Sequence, residues 1–594
     1  MRTKPLHEMT GDLTDVAMGR RPADTVLKGG KLVNVNTAEI LPDTDVAICQ
    51  GRIALVGDAG HCIGEETEVI DAAGFYLAPG FLDGHVHVES STVTLSQFTK
   101  AVLPRGTTGI FMDPHEIANV LGLKGIKLMV EEGETLPLRV FTTVPSCVPA
   151  AFGFEDTGAD LTLEDIEEAL QWPTIPGLGE MMNYPGVIFN DPEVHQKIQA
   201  TLKMGKVVTG HFASPDTGKE LQAYAASGCS SCHESTRKDE ALAKMRAGIY
   251  AMVREGSAWQ DVKEGIRSIT ETGIDPRFCL LVSDDTHPEA LLSRGHLNHV
   301  VKRAVEEGVD PIKAIQMVTI NVAQYFKQTE DLGSISPGKY ADILFLKNLE
   351  KVEVDKVFLS GRLMAEGGQL KIEIPSYPYP QEVTNSVHLR EELKPEDFKI
   401  KAPKALTEKA RVRAIQVQEA QAVTGSAPVV LPLKDGYLMT GEEDTVKLAC
   451  IERYHETGTL ALGVVKGFGI KEGASASTVA HDSHNLLVLG TNDEDMALAG
   501  KILAQEGGGM VVVKNGRVLA LLKLPIGGLM SDKPVQEVST QVEEIARAWK
   551  TLGCPLESPF MTMSLLALPV IPSLRLTNRG LVDVQTFKFV DLFC

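Results

Sequence analysis

Tyr76-Leu77-Ala78-Pro79-Gly80-Phe81-Leu82-Asp83-Gly84-His85-Val86-His87 is an apolar stretch that ends in two histidines. Alternate residues of a β-strand point to the same side. Both imidazoles can therefore reach one metal ion from the end of a single strand. A surface strand that happens to carry two histidines explains this pair equally well, so the interpretation depends on what the later segments contain.

Four later apolar segments also end in residues of the types that bind metals. The residues at these ends are Glu180 after 176–179, His211 after 206–210, His233 after 229–232 and Asp284 after 278–283. Helix-like patterns, such as 163–170 and 192–204, lie between these segments. Strands that alternate with helices indicate βαβ units and a parallel sheet.

Eight strands are predicted between about residues 76 and 285. They start near Tyr76, Gly109, Arg139, Leu178, Val207, Cys229, Tyr250 and Cys279. Eight βα units close a barrel whose active site lies at the C-terminal ends of the strands. Each candidate ligand falls at such an end. The predicted fold is α/β: a TIM-like (β/α)8 barrel over 76–329, with a flanking small β-sandwich and an additional C-terminal α/β domain.

Six side chains are predicted to form one metal centre: His85, His87, Glu180, His211, His233 and Asp284. For any one of them, a structural role as a core or surface polar group is an equal alternative. Nitrogen and oxygen ligands suit Mn, Fe or Zn. Six ligands suggest two metal ions about 3.5–4 Å apart. We expect His85, His87 and Asp284 on one ion, His211 and His233 on the other, and Glu180 between them.

The flanking segments predict the remaining organisation. Residues 1–23 are expected to be a helical or loose leader, and 24–75 with 330–374 are expected to form the β-sandwich. A proline-rich linker leads to the C-terminal domain, 404–594. That domain contains Val479-Ala480-His481-Asp482-Ser483-His484-Asn485. We interpret this stretch as a polar turn before a buried strand. The alternative is a loop that reaches over the barrel mouth.

Composition indicates an intracellular enzyme. The 594 residues have a net charge of −21, which argues against a nucleic-acid partner. The nine cysteines are scattered and odd in number, which indicates free thiols in a reducing compartment. No apolar leader or 18-residue apolar run is present, so we expect a cytoplasmic location and no membrane contact. A large acidic barrel enzyme is expected to be a homo-oligomer.

The order of the ligands resembles the amidohydrolase superfamily. Four stretches are similar to the bacterial adenine deaminase family in particular, and the match runs from about residue 24 to the C-terminus. The stretches are His85-Val86-His87-Val88-Glu89-Ser90-Ser91, Asp113-Pro114-His115-Glu116-Ile117-Ala118-Asn119-Val120, Gly179-Glu180-Met181-Met182-Asn183 and Asp284-Asp285. The resemblance implies hydrolysis of adenine to hypoxanthine and ammonia at two divalent metal ions, with Mn2+ or Fe2+ favoured and Zn2+ allowed.

In the expected chemistry, a metal-activated hydroxide attacks C6 of adenine, and Asp284 transfers its proton to the leaving group. A carboxylic acid protonates N1, and Glu89 and Glu116 are both candidates. His115 and Asp113 resemble the same motif and are expected to orient the acid or the purine, or else to cap the second strand. Ser90 either binds the purine or caps a helix. Asp285 is expected to point away from the metal.

Two other functions remain open. Many amidohydrolases carry a carboxylated lysine on the fourth strand, where this chain has Glu180. That difference argues against a cyclic-amide hydrolase of the hydantoinase or dihydroorotase type. A non-catalytic metal-binding scaffold is the third reading, although a scaffold needs no open polar site at its strand ends.

Overall fold

The computed structural model describes residues 3–257, 259–418 and 423–594. A helix, Thr10–Ala17, packs against the first β region of the chain, which is a nine-stranded mixed sheet. Strands from both segments that flank the predicted barrel join this one sheet, because Tyr76–Pro79 pairs with strands on either side. The nine strands are Thr25–Asn34, Glu39–Cys49, Arg52–Gly57, Glu68–Asp71, Tyr76–Pro79, Ile343–Leu346, Val354–Leu359, Arg362–Glu366 and Gln369–Leu370.

Eight parallel strands form a hydrogen-bonded ring. Single bridges, Val144 to Leu178 and Val208 to Cys229, connect its separately paired groups, and Asp284–Asp285 closes the ring by pairing with Val86 and His87. The strands in ring order are Phe81–His87, Thr107–Met112, Arg139–Thr142, Gly177–Met181, Val207–Gly210, Ser231–Cys232, Tyr250–Arg254 and Cys279–Val282. The α/β class predicted from the sequence is therefore confirmed.

One boundary was wrong. The predicted first strand, from Tyr76 to His87, is two strands in different sheets, and Gly80 separates them. A Cβ atom on Gly80 would lie 2.1 Å from the Thr108 hydroxyl oxygen. Only a residue without a side chain fits this crossing from the mixed sheet into the ring.

Helices follow the ring strands. They are Leu95–Val102, His115–Thr135, Leu163–Ala169, Tyr184–Ile188, Pro192–Lys203, Lys219–Ala226, Lys238–Arg246, Val262–Gly265, Arg267–Thr270, Pro288–Ser293, Leu297–Glu306, Pro311–Met317 and Ile320–Tyr325. Among the described residues, no helix is both long and apolar enough to cross a membrane.

The C-terminal region is built on a second nine-stranded sheet and shares a core with the ring. One buried cluster joins Val86 and Ile117 to Leu448, Leu487 and Trp549. The sheet strands are Lys409–Gln416, Gly425–Lys434, Tyr437–Leu438, Thr445–Ile451, Leu460–Lys466, Ala474–Ser477, Leu486–Gly490, Gly509–Lys514 and Arg517–Lys523. The helices are Asp493–Glu506, Val535–Thr551 and Pro559–Ser564, and a small sheet of Leu574–Thr577, Gly580–Asp583 and Lys588–Phe589 follows.

Candidate active site

The six predicted ligands converge in one buried cluster at the C-terminal ends of the ring strands. His87 ends its strand, Glu180 is the last residue but one of its own, His211 and His233 directly follow theirs, and Asp284 follows the eighth. Because the ring strands are parallel, these ends meet at one edge. Five of the six residues are buried, and His211 is partly exposed.

Glu180 lies at the centre of the cluster. Its Oε2 atom is 2.6 Å from Nδ1 of His211 and 3.1 Å from Nε2 of His233, and those two nitrogens are 3.1 Å apart. Its Oε1 atom is 3.5 Å from Nε2 of His87. The two oxygens of one carboxylate thus face two groups of histidines.

The other end of the cluster contains the two histidines of the first strand and Asp284. Nε2 of His87 lies 3.4 Å from Oδ1 of Asp284, and Nε2 of His85 lies 3.7 Å from the same oxygen. The rings of His85 and His233 stack with centroids 4.0 Å apart. This contact joins the two halves of the cluster.

The donor atoms fit a metal centre. Nδ1 of His87 is 2.9 Å from the carbonyl oxygen of Asp113, which can only accept, so this nitrogen carries a proton and Nε2 is the ring nitrogen that faces the cluster. Nε2 of His85 is buried and has no hydrogen-bond partner among the described residues. Burial, followed by the neighbouring His233 and His87, holds the pKa of His85 well below its usual value, which keeps the imidazole neutral as a ligand must be.

Charge compensation around Asp284 comes from a residue that the sequence reasoning missed. Burial acts to raise the pKa of Asp284, but the adjoining His87 and Arg254 hold it well below its usual value. Nη1 of Arg254 donates to Oδ2 of Asp284 at 3.0 Å, and the same guanidinium pairs with Glu234 and Asp261. Arg254 ends the seventh ring strand, so its place at a strand end was the signal available.

The remaining predicted residues lie beside the cluster. Burial, together with the nearby Glu89, raises the pKa of Glu116 to about 8 against the opposing effect of His115. Oε2 of Glu116 is buried without a hydrogen-bond partner in the described structure. Burial also raises the pKa of Glu89, whose Oε1 accepts from the amide of Ile117 at 3.2 Å.

His115 and Asp113 both contact Glu180. Nδ1 of His115 lies 3.1 Å from Oε1 of Glu180. Oδ2 of Asp113 accepts a 2.7 Å hydrogen bond from the amide of Glu180, so Asp113 positions the central carboxylate.

Two expectations about neighbouring residues were wrong. The Ser90 hydroxyl does not cap a helix but donates to Oδ1 of Asp285 at 2.5 Å. Asp285 does not point away, because one of its carboxylate oxygens lies within 4.8 Å of donor atoms of both His87 and Asp284. Successive side chains point to opposite faces only where the backbone is extended. Asp284 has a left-handed φ of +57°, so this rule does not apply to the residue that follows it.

The stretch 479–485 is a turn before the buried strand Leu486–Gly490, as predicted, and it also lies against the ring, as in the alternative. His481 and Asp482 are buried, and each has a donor atom within 4.8 Å of His115. The loop therefore extends from the C-terminal region into the mouth of the ring. A loop without periodic hydrophobicity carries no sequence signal for where it packs.

The ring with a histidine–carboxylate cluster at its C-terminal edge has the architecture of an amidohydrolase, and residues 76–364 match the model of the Amidohydrolase family. Residues 421–588 match the model of the Adenine deaminase C-terminal domain. Adenine deaminase of Moorella thermoacetica is 60% identical over 590 residues, which cover 99% of each chain.

Two other adenine deaminases align as completely. That of Clostridium botulinum (strain ATCC 19397 / Type A) is 55% identical, and that of Mesorhizobium japonicum is 48% identical; each alignment covers 100% of this chain and 98% of the relative. The chain therefore belongs to the adenine deaminase family, and the resemblance predicted from its motifs is confirmed.

Proposed function

We propose that this protein hydrolyses adenine to hypoxanthine and ammonia. The observation that carries the proposal is the complete set of six ligand-type side chains in one buried cluster, in a chain related over its full length to adenine deaminases. A cyclic-amide hydrolase and a metal-binding scaffold are less well supported, because no feature of the described site favours either one.

Two divalent cations are proposed as cofactors, with Mn2+ or Fe2+ favoured. His85, His87 and Asp284 would hold one ion, His211 and His233 the other, and Glu180 would lie between the two. Divalent ions in such sites supply Lewis acidity and make water ionise near neutral pH. The unpaired Nε2 of His85 and the divided orientation of the Glu180 oxygens support this assignment.

The proton transfers are assigned to two carboxyl groups. Asp284, ionised beside Arg254, accepts the proton of the attacking water and delivers it to the leaving amino group. Glu116 is assigned as the donor of a proton to N1 of the purine, because burial raises its pKa to about 8 and so keeps the acid protonated at neutral pH. Protonation of N1 makes C6 more electrophilic.

Three neighbours support these groups. The His115 ring contacts the carboxylate of Glu180, and Asp113 accepts a hydrogen bond from the Glu180 backbone amide. Both residues therefore position Glu180. Ser90 fixes Asp285 next to the substrate space. Asp113, Glu116 and Ser90 are the proposed substrate-binding residues.

The domain organisation is proposed along the predicted limits, which are a leader over 1–23, a β-sandwich from 24–75 and 330–374, a catalytic barrel over 76–329 and a C-terminal α/β domain over 404–594, except that Tyr76–Pro79 belongs with the flanking sheet and the barrel starts at Phe81. All nine cysteines are free thiols, which supports a reducing location such as the cytoplasm. The homo-oligomer stays a prediction.

The test is an assay of protein loaded with Mn2+, Fe2+ or Zn2+ against adenine, hydantoin and dihydroorotate, with metal content measured in parallel. We expect ammonia release from adenine alone. Asp284→Asn should lower kcat by about 10³-fold with metal still bound, because it removes the proton acceptor. Asp275→Asn, an exposed carboxylate paired with Arg277, is the matched control. Turnover of hydantoin, or full activity in Asp284→Asn, would contradict the proposal.

A further inference from the structure

The loop of residues 480–485 belongs to the C-terminal region. Two of its side chains project towards the ring. Oδ1 of Asp482 lies 3.7 Å from Nε2 of His115 and 3.7 Å from Nδ1 of His481. Asp482 is 3% exposed and His481 is 7% exposed, so the contact is shielded from solvent. His115 is thereby enclosed between a ring carboxylate, Glu180, and a carboxylate of the C-terminal region.

The loop is held in this position by buried hydrogen bonds. Arg453 is fully buried, and its guanidinium donates to the carbonyl oxygen of His484 and, at 3.0 Å, to that of Gly527. The Tyr454 hydroxyl donates to the carbonyl oxygen of Ser483 at 2.6 Å. These bonds fix the backbone that carries Asp482.

A second contact ties the loop directly to the ring. Nδ2 of Asn485 donates to the carbonyl oxygen of Asp156, in the segment after the third ring strand, at 2.8 Å. The loop is therefore anchored on both sides of the boundary between the ring and the C-terminal region.

Asp482 also carries a feature that packing alone does not explain. Its Oδ2 atom is buried and has no hydrogen-bond partner among the described residues. Leaving a buried acceptor unpaired costs about 1–3 kcal/mol, and more when it is charged. A residue with a purely structural role would be better replaced by an apolar one of similar size.

We propose that Asp482 is a positioning residue for deamination: its carboxylate fixes the orientation of the His115 ring, so that the C-terminal region completes the active site of the barrel. This inference rests on the proposed function. It implies that the ring without residues 480–485 has its candidate metal ligands in place but holds His115 loosely. Asp482 acts through His115 and is not assigned to the metal ions or to the reacting atoms.

The test compares Asp482→Ala, Asp482→Asn and Asp482→Glu, each loaded with Mn2+, with Asp591→Asn as a control at an exposed aspartate near the C-terminus. Metal content, Tm, kcat and KM for adenine are measured. We expect Asp482→Ala to lower kcat about 10–100-fold, as removal of a supporting partner does elsewhere. KM, metal content and Tm should stay near wild type, and Asp482→Glu should recover part of the loss. Asp591→Asn should match wild type in all four measurements.

Three results would overturn the inference. A wild-type kcat in Asp482→Ala would show that His115 needs no support from the C-terminal region. Loss of kcat that parallels loss of metal or of Tm in all three variants would show a structural role only. Absence of adenine turnover in the wild-type protein would remove the proposed function itself, whereas normal wild-type turnover with unaffected variants removes only the role of Asp482.

Discussion

Two regions contribute side chains to the same site, but different interactions hold them. The strand ends are positioned by the backbone hydrogen bonds of the ring, in which Asp284 pairs with Val86 and Asp285 with His87. The loop of residues 480–485 has no such ladder and depends on hydrogen bonds from Arg453 and Tyr454 to its carbonyl groups. Strands with polar residues at their ends recur along the chain, whereas the anchored loop occurs once. Only the strand ends therefore leave a pattern in the sequence.

The largest effect in this comparison is expected on the barrel side. Glu116→Gln removes the proposed proton donor, so kcat for adenine should fall by about 10²–10⁴-fold. Glu89→Gln is the matched variant and should lose less, because a glutamine can keep the hydrogen bond that Glu89 accepts from the Ile117 amide and Glu89 is not the assigned proton donor. Steady-state kinetics on both variants decides which acid protonates N1. A larger loss in Glu89→Gln would reverse the assignment.

A smaller effect is expected when the support of the loop is removed. Arg453→Met leaves buried carbonyl groups without donors, which should lower the free energy of unfolding by about 2–4 kcal/mol. Urea denaturation measures this change. Arg20→Met is the control, because Arg20 is an exposed residue paired with Asp15, and such pairs contribute about 0–1 kcal/mol. Equal losses in the two variants would show that the loop needs no special anchor.

The smallest effect is expected on the pH dependence of stability, and it comes from a residue at the boundary between the two regions. Burial, together with Asp482, raises the pKa of Glu155 to about 8, so the folded state binds this proton more tightly than the unfolded state does. Stability should therefore fall as pH rises from about 4.5 to 8 because of this residue, and between pH 7 and pH 8 the fall should be about 1 kcal/mol. Denaturation of wild type and Glu155→Gln at pH 6, 7 and 8 measures the difference. Parallel pH profiles would show that Glu155 contributes nothing.

Much of the site was predictable because it follows the period of the strands. The six ligand-type residues lie at or near the ends of apolar segments, and parallel strands bring such ends together whatever the sequence between them. The same reasoning failed where the backbone departs from the regular strand. Asp284 adopts a left-handed conformation, which turns Asp285 towards the cluster. At Gly80 one apolar stretch divides between two sheets.

By itself the sequence determined the order of strands and helices, the ligand types and the family, because hydrophobic period and residue chemistry are local properties of the chain. Tertiary structure alone decided that Arg254 compensates Asp284, that Asp113 holds the Glu180 amide, and that a loop some 365 residues beyond His115 encloses its ring. These contacts join segments far apart in the chain. Their geometry arises from packing across the shared core, which no local pattern encodes.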